Sequence, residues 1–94
     1  MENQHRKIKG YRELSQEEID LMNRIKEKGA ELLGLHTELT LMLGTQHLVK
    51  SQGSSEEFER FSAAEPARWA AIGKTDIQTG IMALVRAVAQ PAGV

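Results

Sequence analysis

The 94 residues suffice for one small domain, and the absence of cysteine excludes disulfides and thiolate metal sites. A formal net charge of −1 gives no bulk electrostatic case for DNA or RNA, and no run approaches the roughly 20 apolar residues of a membrane span. With 40% hydrophobic but only 4% aromatic residues, core volume must come from Leu, Ile, Met and Ala, which suits helices better than strands.

Residues 1–13 read as a polar arm, without the apolar core of a signal peptide, so a cytosolic chain is expected. His5, Arg6, Lys7, Lys9 and Arg12 surround Gly10 and Tyr11, the only tyrosine. Cations beside an aromatic ring suit a flat anionic ligand, the ring stacking on a base while the charges meet phosphates. The plainer reading is a tyrosine that pins a loose arm to the body.

Leu14-Ser15-Gln16-Glu17-Glu18-Ile19 is a helix start: Ser15 and Glu18 have capping-box spacing, and Leu14 and Ile19 that of a hydrophobic staple. Met22, Ile25, Gly29, Leu32, His36, Leu39 and Leu43 then alternate three and four apart, predicting a long helix over 15–48 that fades between Gly44 and Lys50. His36 on this seam reads as a hydrogen-bonded core or interface histidine, because no second ligand follows at metal-binding spacing. Lys26 reads as one surface charge among several.

Ser51-Gln52-Gly53-Ser54-Ser55 is a turn by composition, and Ser54 with Glu57 repeats the capping-box spacing. A second long helix is predicted over 55–90, kinked or restarted near Pro66 and stopped by Pro91. Its seam reads Ala70, Gly73, Ile77, Gly80, Leu84 and Ala87, widened by Trp69, Ile72, Ile81, Val85 and Val88. A helical glycine costs about 1 kcal/mol against alanine, so Gly73 and Gly80 suggest close backbone approach.

A polar stripe runs along the same helix. At 100° per residue, Arg68, Thr75, Thr79 and Arg86 fall within about 20° of one line, offering two guanidinium groups and two hydroxyls that can hold a phosphate. The plainer reading is a solvated face. Gly73-Lys74-Thr75 imitates the end of a phosphate-binding loop, but the preceding glycine and strand are missing.

The expected architecture is all-α: a basic arm and two long antiparallel helices, apolar around enough of their girth to require assembly into a homo-oligomer. Pockets are expected at subunit junctions, with the Tyr11 arm able to fold over them. Catalysis lacks support, since no nucleophile–base pair, paired carboxylates or metal constellation is present. A coiled-coil adaptor without small-molecule ligand is the rival reading.

Two stretches, His5-Arg6-Lys7-Ile8-Lys9-Gly10-Tyr11-Arg12-Glu13-Leu14-Ser15-Gln16-Glu17-Glu18-Ile19 and Glu65-Pro66-Ala67-Arg68-Trp69 through Lys74-Thr75-Asp76-Ile77-Gln78, resemble the bacteriophage anti-CBASS cyclic-nucleotide sponges. The likeness covers roughly the first 28 residues and 65–91. It implies a hexamer of helical hairpins that sequesters cyclic dinucleotides at one class of subunit interface and cyclic trinucleotides at another, in the cytoplasm of the infected bacterium. On that resemblance Tyr11 stacks on a purine, Lys26 meets the ligand phosphates, and Arg68 belongs to the trinucleotide site. Thr75 joins Arg68 through their shared stripe. No cofactor, metal, DNA, RNA or membrane partner is implied, and no turnover.

Overall fold

The computed structural model describes residues 12–93, and within them three helices follow one another: α1 (Gln16–Ser51), α2 (Ser55–Ala64) and α3 (Pro66–Ala89). The first begins on the predicted capping box. Glu18 donates its backbone N–H to the Ser15 hydroxyl at 3.1 Å, and its carboxylate accepts the Ser15 N–H at 2.9 Å. Two of the donors that a helix start leaves unpaired are thereby satisfied.

α1 runs for 36 residues, about 54 Å at the helical rise, and continues through Gly44 to Ser51 rather than fading there. The reason lies in α2, which folds back on this end. His47 meets the Phe58 ring edge-on with centroids 5.5 Å apart, and the Lys50 ammonium sits 5.9 Å from the Phe61 ring centre. Lys50 also bridges the turn to Glu57 at 2.8 Å. Contacts from outside the helix hold a stretch whose own composition is indifferent.

At the α2 start, Ser54 accepts the Glu57 N–H at 3.0 Å, but Glu57 does not complete a second capping box. Its carboxylate takes both Nε and Nη2 of Arg60, at 2.8 and 2.7 Å, along with Lys50. α2 ends at Glu65, whose backbone is left-handed (φ 51°, ψ 52°). Pro66 bars the preceding residue from helical backbone and tolerates the first helical position, so the chain makes a fresh start rather than a kink. α3 ends with Gln90 also left-handed, its N–H donated to the Arg86 carbonyl at 2.8 Å.

α3 lies antiparallel against α1: Ala70 meets His36, Ile81 meets Gly29, and Val88 and Ala89 meet Arg12. The seam departs from the heptad reading. On α1 the covered line runs Met22, Ile25, the buried Gly29, Leu33, His36 and Leu43, leaving Leu32 and Leu39 exposed. On α3 it runs Ala70, Gly73, Ile77, Ile81, Val85 and Val88, and leaves Gly80, Leu84 and Ala87 outside. A straight helix turns every 3.6 residues and drifts off a 3.5-residue repeat within two heptads.

The result is a rod measuring 67 × 23 × 17 Å. Among the described residues Phe61 is the only buried large apolar side chain, at 7% exposure, and none is completely enclosed. Leu35 (59% exposed), Trp69 (58%) and Leu84 (55%) stand in the open. Two helices side by side cover one stripe of each, and the second apolar stripe has no cover among the described residues.

Candidate functional site

The left-handed residue Glu65 turns α3 away from α2, and a groove of about 900 Å³ lies where α1, α2 and the first turns of α3 converge. His36 and His47 line it from α1, Phe61 from α2, and Arg68, Lys74 and Thr75 from α3. The structure therefore brings Arg68 and Thr75 to one cavity. Thr79 and Arg86, the other half of the predicted stripe, lie outside its lining. The Arg86 guanidinium instead donates to the Gly93 carbonyl at 2.8 Å, holding the chain end against the last turn.

Arg68 is ready for an anion. Its Nε pairs with Glu65 at 3.1 Å and its guanidinium carbon lies 4.8 Å from the Trp69 ring centre. These two neighbours orient the plane, while the terminal nitrogens have no partner among the described residues. The Thr75 hydroxyl donates back to the Ala71 carbonyl at 3.3 Å, which leaves its oxygen able to accept. Arg68 and Lys74 are the lining cations and Glu65 the lining carboxylate, giving the wall a small positive excess.

His36 takes the seam position expected of it, with its Nε2 2.9 Å from the Ala70 carbonyl in a hydrogen bond across the hairpin. The groove also contains Lys74 and Gln78, which sequence patterning alone does not assign to a site. A signal for them exists: Ala70, Lys74 and Gln78 recur every four residues along α3 and share this lining with His36. Gly73-Lys74-Thr75 lies within the body of α3, so it forms no phosphate-binding loop.

Lys26 belongs to the other half of the rod. It lies ten residues before His36 on α1, about 15 Å at the helical rise, and is not part of the groove. Its side chain is exposed and has no partner among the described residues. Tyr11 lies outside the described residues. Its neighbour Arg12 is described: the guanidinium donates to the Val88 carbonyl at 2.8 Å, the Ala89 carbonyl at 3.2 Å and the Glu18 carboxylate at 2.6 Å. That guanidinium, with the Ser15 N–H, holds the Glu18 carboxyl down at about 2, well below its ordinary 4.5. The named candidates thus form two groups, Arg68 with Thr75 at the groove facing the His36 region of α1 and Lys26 nearer the α1 N-terminus.

Among the described residues no three His, Asp or Glu side chains cluster as a metal site would require, and no helix is long and apolar enough to cross a membrane. Both groups present exposed cations on a helix face.

A hairpin of two long antiparallel helices with exposed cations along it is the class that the fold defines. The family described as Acb2/Tad1, hairpin domain, matches residues 3–89, and the chain belongs to it. It is 58% identical to Anti-CBASS protein 2 of Pseudomonas phage JBD67, in an alignment that covers 99% of this chain and 99% of that protein. The chain is a homologue of that phage anti-defence protein and is not an enzyme.

Proposed function

We propose that the protein acts as a stoichiometric sponge in the infected bacterium, holding cyclic dinucleotides through Tyr11 and Lys26 and cyclic trinucleotides through Arg68 and Thr75. The observation that carries this reading is the separation of Lys26 from Arg68 along the rod, each with cationic donors left open to solvent. Two ring-shaped polyanions of different size are served better by two remote sites than by one. A cyclic ligand is already rigid, so little conformational entropy is lost on capture, and sequestration denies it to the defence effector without any bond being broken.

The same reading makes the functional unit a homo-oligomer, with a hexamer as the proposed form. Leu32, Leu35, Leu39, Trp69 and Gly73 line a second groove of about 530 Å³ that is apolar but for His36. Another copy of the chain covering such a face would place a subunit junction beside Trp69, on which the Arg68 guanidinium rests.

The test is incubation with a panel of cyclic di- and trinucleotides, followed by heat denaturation and chromatography of what is released. Intact ligands of both classes support the reading. Linear products would make the protein a nucleotide-cleaving enzyme, and release of no ligand would leave the adaptor reading in its place.

A further inference from the structure

We propose that Lys74 and Gln78 complete the trinucleotide site of Arg68 and Thr75, with Lys74 taking a second phosphate and Gln78 the edge of an adenine. The inference rests on the reading of Arg68 given above and begins from what that pair leaves unmet. A cyclic trinucleotide carries a negative charge on each of its phosphates, whereas one guanidinium, already engaged at Nε by Glu65, is a fork matched to one of them. Phosphate contacts also carry no information about the bases. The groove that holds Arg68 contains one ammonium group, that of Lys74, and one side-chain carboxamide, that of Gln78. Both side chains are exposed, and neither has a partner among the described residues.

The backbone sets both residues in place. His36 Nε2 lies 2.9 Å from the Ala70 carbonyl, and since a carbonyl only accepts, this nitrogen carries the proton. The same carbonyl takes the Lys74 N–H in the α3 ladder, so the turn that carries Lys74 is bonded to α1. Gln78 follows one turn later on the same face. Lys74 stands about 9 Å along α3 from Arg68 and about 120° round it, so the two cations enter the groove on separate lines and can meet different phosphates. A carboxamide sets a donor beside an acceptor, the complement of the 6-amino group and neighbouring ring nitrogen of adenine.

The experiment is calorimetry on the full chain over a range of salt, with cyclic tri-AMP and an analogue in which purine without the 6-amino group replaces each adenine. Lys74→Gln is expected to weaken cyclic tri-AMP binding about tenfold and to lower the slope of log K against log salt by about 0.7–0.9, whereas Lys74→Arg keeps that slope. Gln78→Ala is expected to weaken cyclic tri-AMP about fivefold to a hundredfold with the salt slope unchanged. The parent chain should bind the analogue more weakly than cyclic tri-AMP, and Gln78→Ala should bind the two within about twofold of each other. Unchanged helix content and melting temperature establish that the variants fold. The comparison of the two ligands on the parent chain needs no substitution at all.

An unchanged salt slope in Lys74→Gln, or equal affinity of the parent for the two ligands, overturns the proposal, as does a preference for the amino group that persists in Gln78→Ala. With any of these results, weakened cyclic tri-AMP binding in Arg68→Ala means that the roles of Lys74 and Gln78 alone have failed. Full affinity in Arg68→Ala, or a parent chain that takes up no cyclic tri-AMP, would remove the Arg68 site and these two residues together.

Discussion

Gly29 and Ile81 meet in the seam between the two long helices: a methyl group built on Gly29 would lie 2.8 Å from Cγ1 of Ile81 and nearer still to Cδ1. Gly29 is buried, and its missing side chain is the space that Ile81 fills. This position, rather than Gly73 or Gly80, is where the hairpin uses a glycine for close approach. A Cβ on either of those two meets nothing within 4 Å among the described residues.

Gly29→Ala is expected to lower stability even though alanine favours helix by about 1 kcal/mol. Overpacking a tight contact costs about 1–3 kcal/mol, and Ile81 is branched at Cβ and poor at yielding. Gly34→Ala is the control, because a methyl at that position meets nothing within 4 Å and only the helical gain remains. Thermal melts should move down for the first and up for the second. A rise for both would mean that Ile81 relaxes freely.

Acid should loosen both ends of the rod. Glu18 and Glu57 are each held at about 2 against an ordinary 4.5, chiefly by hydrogen bonds from Arg12 and Arg60 respectively. A carboxyl whose folded value is depressed adds stability above its unfolded value, and that stability is lost as pH falls toward the folded value. The melting temperature should therefore decline between about pH 4.5 and 2, and the decline should be shallower in Glu18→Gln and Glu57→Gln. An identical slope in both variants would assign the acid sensitivity to other groups.

The helix start at Ser15, the turn at 51–55 and the break at Pro66 were legible in the sequence because each depends on a local rule of backbone chemistry. The lateral register was not. Heptad spacing put Leu32, Leu39, Gly80 and Leu84 on the intrachain seam, whereas the straight helices turn them outward. The site was half legible for a similar reason: the stripe from Arg68 to Thr75 is a property of one helix, but the grouping of Lys74 and Gln78 with His36 depends on how two helices lie together. Arg12 gave no local signal, since its partners at Val88 and Ala89 stand at the far end of the chain.

Lys26→Ala and Arg68→Ala should separate the two proposed ligand classes. A hydrogen bond to a charged partner contributes about 1.5–3 kcal/mol, so each loss should be roughly tenfold to a hundredfold. Lys26→Ala is expected to weaken dinucleotide binding and Arg68→Ala trinucleotide binding, with the other ligand class held within about twofold. Calorimetry in which a single variant depresses both classes equally would merge the sites into one.

Leu35 provides the test of assembly. It is 59% exposed and lines the apolar groove with Trp69, yet the rod has little core of its own with which to compensate for uncovered surface. If a second copy covers this face, Leu35→Glu places a charge in a desolvated seam, and a buried unpaired carboxylate costs several kcal/mol. The variant is then expected to elute and scatter light as a species near 10.5 kDa at concentrations where the parent chain is a multimer. Its helix content should fall as well, because an interface that supplies the missing core is also what keeps α3 packed on α1. A parent chain already at 10.5 kDa, or a variant of unchanged mass, would mean that this face is not the seam.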